Sequence, residues 1–398
     1  MPGPARRPSR PAVALVGISG YGRVYLRWLE AMVARRRLRF AAAVVINPDE
    51  EREACDRLRA LGVKLFRDWR ELETLAGGLD LCLIPTPIHW HAEITVAALE
   101  FGANVLVEKP LAGSLAQARA IQAAEARTGR WVAVGYQDFY APSTIEIAQQ
   151  LAAGRIGRIR SVRWLGLWPR SAEYYRRNGW AGRKVLDDRP VRDSPLNNAM
   201  AHYLNLALYW AGAGQGTPAH PERAEAELFR CYPIENFDTA VTRMFTAEGV
   251  MIQSAVTHCC EENRPIEIRV SGDEGEMSWV HGREAVWKSG GGAVERVDLS
   301  QGEETMNAMF STVLARLRDP GARICTSTLA RPQVAAIEAL PEEVRDIAPV
   351  WLERASSREE ARLFVRNISA DLEACLRRAA LPSELGLAWA RPATILAA

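Results

Sequence analysis

One lysine of this chain stands where an apolar strand ends. The apolar run from Val105 to Val107 is followed directly by Glu108, Lys109 and Pro110. Proline cannot continue a strand of a sheet interior, and open α/β sheets bind their ligands at the carboxyl ends of their strands. The sequence therefore predicts that the ammonium group of Lys109 reaches into a ligand site.

A histidine on an apolar helix is the second group that could do chemistry. His202 follows Asn198 by one helical turn, and Ser194 and Pro195 suit the start of that helix. Because nearly all the other side chains from Ala199 to Leu208 are apolar, the helix is predicted to be buried. A histidine on a buried helix is usually a core residue, but the asparagine on the same face and the lysine elsewhere favour proton transfer.

A glycine-rich turn that could hold a dinucleotide follows the first apolar strand. Gly17 permits the tight turn, and the helix that comes next offers backbone N–H groups to a pyrophosphate. Ser19 stands where the usual pattern has its middle glycine, so the motif is imperfect. A glycine turn without a ligand is the alternative, but the position between strand and helix favours cofactor binding.

The choice between NAD and NADP depends on the end of the second strand. Asn47 occupies the position where an acidic residue would bind the ribose of NAD and repel a 2′-phosphate. Arg52 follows, although it is explained equally well as a solvent-facing helix residue. This favours NADP modestly over NAD. The residues expected at the cofactor are Gly17, Ser19, Gly20, Tyr21, Gly22, Asn47, Arg52, Pro85, Thr86, His91, Glu108, Lys109 and Gln137.

Two groups of potential metal ligands receive a structural interpretation. His89 and His91 lie at the start of a helix, where capping and packing are the more common roles. Cys259 and Cys260 follow His258, but one histidine and two adjacent thiols rarely converge on one ion. We therefore predict no metal site. The 7 cysteines have neither zinc nor disulfide spacing, which favours a reducing cytoplasm.

The elements that must position these residues fall into two patterns. Strand and helix alternate from residue 12 to 135, which predicts a doubly wound parallel sheet of the Rossmann type. From about residue 155, consecutive strand candidates predict an α/β domain with a large, mostly antiparallel sheet, which a helix at 195–210 interrupts. The chain from about residue 304 is expected to be mostly helical. We expect a disordered N-terminus at 1–11, a dinucleotide-binding domain at 12–138 and a second domain at 139–398.

Length and charge narrow the class of protein further. A chain of 398 residues is too long for one hydrophobic core. A net charge of +2, from 50 basic and 48 acidic residues, argues against a nucleic-acid partner. No stretch approaches the roughly 20 apolar residues of a membrane span, so no membrane partner is expected.

Several of these motifs together resemble those of the Gfo/Idh/MocA oxidoreductases. The resemblance covers about residues 12–330 and is strongest at Glu108-Lys109-Pro110. It includes the glycine turn, Thr86-Pro87, the helix bearing His202 and the segment at 233–239. It implies an NAD(P)-binding Rossmann domain followed by an α/β domain whose open sheet face forms a homodimer or homotetramer. Such enzymes mostly transfer hydride to or from a carbinol carbon of a sugar, polyol or similar small molecule.

The resemblance also implies roles for three residues. The family lysine maps onto Lys109, the histidine onto His202 and the aspartate onto Asn198, where this chain departs from the pattern. An asparagine can position an imidazole but cannot stabilise its charged form. His202 is expected to exchange a proton with the substrate oxygen, Lys109 to hydrogen-bond that oxygen, and Asn198 to orient substrate or ring. The expected substrate contacts are Lys109, Tyr136, Arg177, Trp180, Asn198 and His202.

Two other functions remain open from the sequence. An NAD-dependent glycosidase of similar fold would use transient oxidation to drive elimination, with no net consumption of the dinucleotide. A non-catalytic sensor would bind the dinucleotide and a partner protein. Keeping both Lys109 and His202 argues against the sensor, while the loss of the aspartate keeps it possible.

Overall fold

The chain folds into two compact units. The computed structural model describes residues 10–300, 304–356 and 361–391. The first unit runs to Gly135 and includes Met309–Thr328, and the second comprises Tyr136–Ala308 and the chain from Leu329 onward. No helix in the described part of the chain is long and apolar enough to cross a membrane.

The first unit is built on a parallel sheet of 6 strands in the order β3-β2-β1-β4-β5-β6. β1, β4, β5 and β6 are buried at every residue, because a parallel sheet is covered on both faces. The strand order reverses between β1 and β4, where such sheets bind ligands. The predicted doubly wound sheet is confirmed. Its strands are β1 Ala12–Val16, β2 Arg39–Val44, β3 Lys64–Phe66, β4 Leu81–Ile84, β5 Asn104–Val107 and β6 Val132–Val134.

The second unit contains a sheet of 9 strands in the order β16-β15-β14-β13-β7-β12-β11-β10-β17. The pairs β7–β12 and β10–β17 are parallel and the others antiparallel, so the mostly antiparallel sheet is also confirmed. The strands of this unit are β7 Ile159–Leu167, β8 Val185–Leu186, β9 Arg189–Pro190, β10 Pro221–Arg230, β11 Thr239–Thr246, β12 Met251–Thr257, β13 Glu267–Gly272, β14 Gly275–Val280, β15 Glu284–Ser289, β16 Val294–Asp298, β17 Arg345–Asp346, β18 Leu352–Ser356 and β19 Ala361–Val365.

Helices connect and cover both sheets. They are α1 Gly22–Ala34, α2 Arg52–Ala60, α3 His91–Glu100, α4 Leu115–Thr128, α5 Pro142–Ala152, α6 Ala172–Arg176, α7 Ala201–Ala211, α8 Thr305–Arg316, α9 Ser327–Glu338 and α10 Ile368–Arg378. Short 3₁₀ turns occur at Trp69–Leu75, Ile88–Trp90 and Gln137–Tyr140.

The segment 309–328 joins the first unit although the sequence groups it with the second domain. Its Phe310 stacks on Trp28 of α1, with ring centroids 4.3 Å apart. The carbonyl of Cys325 accepts the N–H of Val134 at 2.8 Å, and Thr326 forms a β-bridge with Ala133. These contacts join residues far apart along the chain, which local patterns cannot reveal.

Both faces of the large sheet are covered by apolar packing. Trp164 and Leu165 are neighbours in β7, so their side chains point to opposite faces. Trp164 packs with residues of α5 and α7, such as Leu204. Leu165 belongs to a second cluster that includes Leu372 of α10 and Trp389. The chain's own C-terminal segment therefore covers part of the sheet face that the family resemblance implies for an oligomer contact.

A row of polar side chains fixes the C-terminal end of α10 on that face. Arg163, Gln253 and Arg243 lie side by side on β7, β12 and β11. Arg163 donates to the carbonyl of Leu376 at 3.1 Å and Arg243 to that of Ala379 at 2.7 Å. The last carbonyls of a helix lack partners within the helix, so these cations stabilise it there. Oligomerisation through the sheet stays a prediction for its remaining surface.

Two local expectations differ from the structure, and a third is confirmed with one addition. The helix expected at 195–210 is broken at Met200, because a π-helical turn at Pro195–Ala199 comes before α7. The C-terminal part is mostly helical, as expected, through α8, α9 and α10, and it also contains the antiparallel hairpin of β18 and β19. Residues 1–9 of the expected disordered terminus lie outside the described residues, but Pro11 is ordered, with its carbonyl accepting the N–H of Arg39 at 2.8 Å.

Candidate active site

The glycine turn after β1 is closely packed. Gly17 and Gly20 have φ values of +92° and +55°, which glycine adopts without strain. A Cβ on Gly22 would lie well inside contact distance of the carbonyl oxygen of Gly17, so this position has no room for a side chain. The turn thus packs directly against the start of α1, while a Cβ on Gly20 would meet nothing within 4 Å, so the space next to Gly20 is open to a ligand such as a pyrophosphate.

The turns after β1 and β4 lie next to each other. A Cβ on Gly17 would lie 3.9 Å from the Cγ2 atom of Thr86, and one on Gly22 would lie 3.7 Å from the Cγ atom of Pro85. Four of the residues predicted for the cofactor are thus brought together at the switch point of the sheet. Tyr21, the N-cap residue just before α1, is 47% exposed.

Two carboxylates, Glu50 and Glu51, follow Asn47, the position at which the ribose of the cofactor is expected; neither is among the residues predicted from the sequence. The hydroxyl of Ser19 donates to Oδ1 of Asn47 at 3.1 Å, and Nδ2 of Asn47 donates to Oε2 of Glu50 at 2.7 Å. Glu51 pairs with Arg23 at 2.8 Å. The hydrogen bond from Arg23 lowers the pKa of Glu51 despite partial burial, and Ser19 contributes in the same direction. The acidic run after Asn47 was the available signal, and Arg52 begins α2 as an exposed residue.

His91 connects the loops that follow β4 and β5. Its Nδ1 lies 2.7 Å from the carbonyl oxygen of Pro110 and its Nε2 lies 2.8 Å from that of Thr86. Burial lowers the pKa of His91 to about 4, although the two carbonyls favour the charged ring. A neutral ring donates to only one of them. Both ring nitrogens face the backbone, so His91 can support the cofactor site by holding its loops in place, and His89 beside it is also buried.

Glu108 and Lys109 have different environments although they are adjacent. Glu108 is buried, and its Oε1 accepts the hydroxyl of Tyr25 at 2.6 Å. Its Oε2 accepts the backbone N–H of Lys109 at 3.1 Å. Burial raises the pKa of Glu108, which the charge of Lys109 only partly offsets. Lys109 is partly exposed at the end of β5, so the fixed carboxylate positions the backbone from which the ammonium extends.

In the second unit, one aspartate lies between two histidines. Oδ2 of Asp138 lies 3.5 Å from Nδ1 of His202, and Oδ1 lies 3.3 Å from Nε2 of His281. The ring of Tyr136 contacts His202 edge-on, with centroids 5.7 Å apart. Gln137 is the half-buried neighbour of Asp138 in the same 3₁₀ turn. Tyr136 was predicted near His202, whereas Asp138 and His281 were not.

Asp138 stays ionised although it is buried. Burial alone would raise its pKa, but the hydrogen bond from His281 and the charges of His202 and His281 lower it below its ordinary value. Its side chain is 6% exposed, against 41% for His281. A carboxylate with little access to water interacts strongly with neighbouring cations. The unit therefore supplies His202 with the negative partner that Asn198 cannot provide.

Asn198 is hydrogen-bonded to a different aspartate. Its Nδ2 donates to Oδ1 of Asp193 at 2.7 Å, and Oδ2 of Asp193 accepts the N–H of Gly182 at 2.6 Å. Asn236, within the segment that carries part of the family resemblance, donates to the carbonyl of Asp193 at 3.0 Å. An aspartate at 198 would put two carboxylates within hydrogen-bonding distance, so the asparagine suits this site electrostatically.

Arg177 and Trp180, which are predicted to contact a sugar ring, do not themselves line the cavity of this region, but their sequence neighbours do. The guanidinium of Arg177 lies 3.6 Å from the ring centroid of Tyr174 and 5.1 Å from that of Trp180. The cavity has a volume of about 500 Å³ and includes among its lining residues Tyr175, Arg176, Asn178, Tyr232, Pro233 and Glu235. It combines aromatic surface with hydrogen-bonding groups, as carbohydrate ligands require.

A buried cluster of two thiols and a carboxylate has a structural explanation. The ligand atoms of Cys231, Asp238 and Cys259 lie within 4.8 Å of one another. Oδ2 of Asp238 accepts the N–H groups of Cys231 and Tyr232 at 2.8 and 3.0 Å. Burial raises the pKa of Cys231 to about 11, so the thiol is neutral. The hydrogen bonds of Asp238 explain the proximity, and all seven cysteines are free thiols.

Comparison with known protein families identifies both units. Residues 12–136 match the model of the Gfo/Idh/MocA oxidoreductase family with an NAD-binding Rossmann fold. Residues 144–278 match the model of the Gfo/Idh/MocA C-terminal domain.

Individual relatives are more distant. An inositol 2-dehydrogenase of Streptomyces avermitilis is 33% identical over 147 residues, which are 37% of this chain and 41% of the relative. The match thus spans less than half of that protein. An inositol 2-dehydrogenase/D-chiro-inositol 3-dehydrogenase of Shouchella clausii is 24% identical over 67% of this chain and 71% of its own length.

A solved structure extends the likeness over most of the chain. The WlbA dehydrogenase from Chromobacterium violaceum, in complex with NADH and UDP-GlcNAcA, is similar with a TM-score of 0.69. The superposition covers 84% of this chain and 94% of that one at 18% sequence identity. At this identity the likeness establishes the fold alone.

Proposed function

This chain belongs to the Gfo/Idh/MocA oxidoreductases, and we propose that it is a dehydrogenase or reductase of a small carbohydrate-like molecule. The observation that carries the proposal is the position of Lys109. It extends from the end of a fully buried strand, with Glu108 fixed by Tyr25 on one side and Pro110 in contact with His91 on the other. A cation whose backbone is fixed in this way at a sheet edge suits the stabilisation of charge on a reacting oxygen.

The nicotinamide dinucleotide, when bound, supplies or accepts the hydride. The glycine turn fits such a group, since a Cβ on Gly20 would meet nothing within 4 Å just before the N-terminus of α1, where backbone N–H groups can bind a pyrophosphate. In the oxidative direction, Nε2 of His202 accepts the proton of the substrate hydroxyl, and Nζ of Lys109 donates a hydrogen bond to the same oxygen. In the reductive direction, His202 returns the proton.

We propose that the substrate is a sugar, polyol or inositol. The support is the cation–π group of Arg177, Tyr174 and Trp180, together with a cavity with polar lining that is formed in part by their sequence neighbours. Aromatic faces suit the C–H groups of a sugar ring, and the guanidinium and amide groups suit its hydroxyls. The inositol dehydrogenases among the relatives belong to the same chemical class.

We further propose that NAD is preferred over NADP, against the modest lean of the sequence toward NADP. Glu50 accepts a hydrogen bond from Asn47, and Glu51 lies next along the chain. A 2′-phosphate at this edge would meet the carboxylate of Glu50, since that of Glu51 is paired with Arg23, whereas the ribose hydroxyls of NAD can bond to carboxylate and amide oxygens. Glu50 thus takes the role that an acidic residue at 47 would have had.

Binding titrations test the cofactor preference. We expect the wild type to bind NADH more tightly than NADPH, as followed by quenching of protein fluorescence. Replacing Glu50 by glutamine is expected to narrow this difference by about tenfold, the effect of roughly 1.4 kcal/mol of repulsion. Glu53→Gln, which changes an exposed carboxylate of α2, is the matched control. Equal narrowing in both variants, or tighter binding of NADPH by the wild type, would contradict the assignment.

The function itself is tested with a substrate panel. The purified chain is mixed with NAD or NADP and a set of sugars, polyols and inositols, and reduction of the nicotinamide is followed by absorbance at its characteristic wavelength. We expect net reduction with at least one member of the panel. Release of an aglycone without net reduction would indicate the elimination reaction instead, and binding of the dinucleotide without turnover of any kind would indicate a sensor.

A further inference from the structure

We propose that Asp138 is the positioning residue of His202, supplying the negative charge that the family pattern places at position 198, and that His281 anchors Asp138. The proposal rests on the proposed function of His202 in proton transfer. It assigns roles to two residues that neither the motifs nor the comparisons point to.

The geometry separates the two oxygens of the carboxylate. Oδ2 of Asp138 faces Nδ1 of His202 at 3.5 Å, and Oδ1 faces Nε2 of His281 at 3.3 Å. A carboxylate held at one oxygen can direct the other toward an imidazole. The contact with His202 is an ion-pair distance and not a hydrogen bond, and the negative charge next to Nδ1 favours the proton of the neutral ring on that nitrogen, which leaves the lone pair on Nε2 to accept a substrate proton.

The position of Asp138 in the fold makes this arrangement rigid. Asp138 lies in the turn Gln137–Tyr140, which packs against α7, the helix that carries His202. Phe139 of the same turn contacts Tyr209 of α7, with ring centroids 5.1 Å apart. The carboxylate and the imidazole are thus carried by two elements that are packed against each other, so their separation is defined by the core of the unit.

The groups around His202 favour stabilisation of its charged form. Asp138 is the ionised neighbour, while Tyr136 and Tyr203 present rings at centroid distances of 5.7 and 6.2 Å. Burial, and to a smaller extent the charge of Asp138, raises the pKa of Tyr203, so this hydroxyl stays neutral. The positive charge of His202 lowers the pKa of Asp138, and the coupling is reciprocal, so Asp138 stabilises the imidazolium in turn.

His281 is held by aromatic contacts. Its ring lies 5.6 Å from that of Tyr203 and 5.4 Å from that of Trp279, measured between centroids. These contacts orient Nε2 toward Asp138, while the side chain remains 41% exposed. Tyr203 contacts both histidines, which joins the two rings and the carboxylate into one cluster.

The test follows the titration of His202 directly. The full chain is labelled with ¹⁵N-histidine, and the ring signals of its 6 histidines are recorded against pH, with His202→Gln identifying the signal of His202. We expect the midpoint for His202 to move to lower pH in Asp138→Asn. We also expect the kcat of Asp138→Asn near neutral pH to fall roughly ten- to hundredfold, the range known for loss of a carboxylate that orients a metal-bound histidine. The pH profile of kcat should be displaced to lower pH as well.

A second pair of variants tests the role of His281. His281→Gln can still donate an N–H to Asp138 and is expected to keep wild-type kcat within about twofold, whereas His281→Ala is expected to lose about fivefold, the effect of one hydrogen bond. Equal activity of the two variants would overturn the anchoring role. Asp138→Glu, which retains the charge, keeps the test available if the asparagine variant does not fold. Its His202 midpoint should lie near the wild-type value while kcat falls.

The control is Asp238→Asn, another buried carboxylate of the second unit, whose hydrogen bonds go to the backbone of Cys231 and Tyr232. It should leave the titration of His202 unchanged. An unchanged His202 midpoint in Asp138→Asn, or an equal displacement in the control, would overturn the inference while leaving the proposed function intact. Full activity in His202→Ala would instead overturn the proposed function.

Discussion

Two buried carboxylates, one in each unit, have similar exposure, but their pKa values are shifted in opposite directions. Glu108 is 6% exposed and Asp138 is 5% exposed. Burial raises the pKa of Glu108, with the charge of Lys109 opposing. Burial also acts to raise the pKa of Asp138, but two histidines outweigh it and lower the pKa. At similar burial, the neighbours decide the direction in which the pKa of each carboxylate is shifted.

The two carboxylates also differ in the kind of group that they contact. Glu108 is bonded to a tyrosine hydroxyl and to the backbone of the next residue, so it fixes the chain that leads to Lys109. Asp138 faces two imidazoles, so its charge acts on groups that can themselves exchange protons. A buried carboxylate is thus bonded to a hydroxyl and backbone in one unit and lies next to two imidazoles in the other.

Removing the imidazole beside Asp138 is expected to have the largest effect. His202→Ala should lower the oxidation rate by about 10²–10⁴-fold near neutral pH, as expected for loss of a general base. The loss should be smaller at high pH, where hydroxide can accept the proton. The measurement is kcat against pH, with His220→Ala, an exposed histidine of the same unit, as the control. A uniform loss of kcat across pH would contradict a role of His202 as general base. The charge of Asp138 would then have no proton-transfer group to act on.

Removing the ammonium beside Glu108 is the next largest. Lys109→Ala should lower turnover by about 10²–10³-fold, the usual effect of losing one stabilising donor, while dinucleotide binding is largely retained. Turnover and a binding titration are compared in the same preparation, with Lys64→Ala, exposed on β3, as the control. Unchanged turnover in Lys109→Ala would show that Glu108 positions a residue without a catalytic role.

The sequence predicts the first of these two sites better than the second. The parallel sheet, the glycine turn and Lys109 can be predicted because strand periodicity, glycine and proline act on neighbouring residues. Asp138 and His281 are 143 residues apart, and no local pattern indicates that they meet. The sequence predicts a role for Gln137 but not for Asp138 beside it. The role of a buried carboxylate depends on neighbours that only the fold brings together.

The same limit explains the errors in the fold. The segment 309–328 has helical and loop patterns that fit either unit, and its partners Trp28 and Val134 lie far away in sequence. Asn198, where the family pattern has an aspartate, donates a hydrogen bond to Asp193, so an aspartate at this position would face a second carboxylate. The effect of a departure from a family pattern therefore cannot be interpreted until the contacts of the new side chain are known.

A glycine substitution tests how far the cofactor side depends on backbone shape. In Gly22→Ala the new methyl group would collide with the carbonyl of Gly17, so the turn or the helix must move. We expect a loss of about 1–3 kcal/mol in the free energy of unfolding, as for other overpacked sites, together with weaker dinucleotide binding. Gly214→Ala, where a Cβ meets nothing within 4 Å, is the control. Wild-type binding and stability in Gly22→Ala would show that the turn is not constrained.

The smallest effect addresses the two carboxylates directly, through the pH dependence of stability in Asp138→Asn and Glu108→Gln. The folded pKa of Asp138 lies below its ordinary value of 3.8, so its stabilisation is present above that value and is lost as the pH falls through the folded pKa. The folded pKa of Glu108 lies above its ordinary value of 4.5, so its contribution is present below that value and is lost as the pH rises. Relative to the wild type, Asp138→Asn should therefore be most destabilised near neutral pH, and Glu108→Gln most destabilised in acid. Urea unfolding of the three proteins from acid to neutral pH measures this, and trends of the same sign in both variants would mean that the pKa values of the two carboxylates are not shifted in opposite directions.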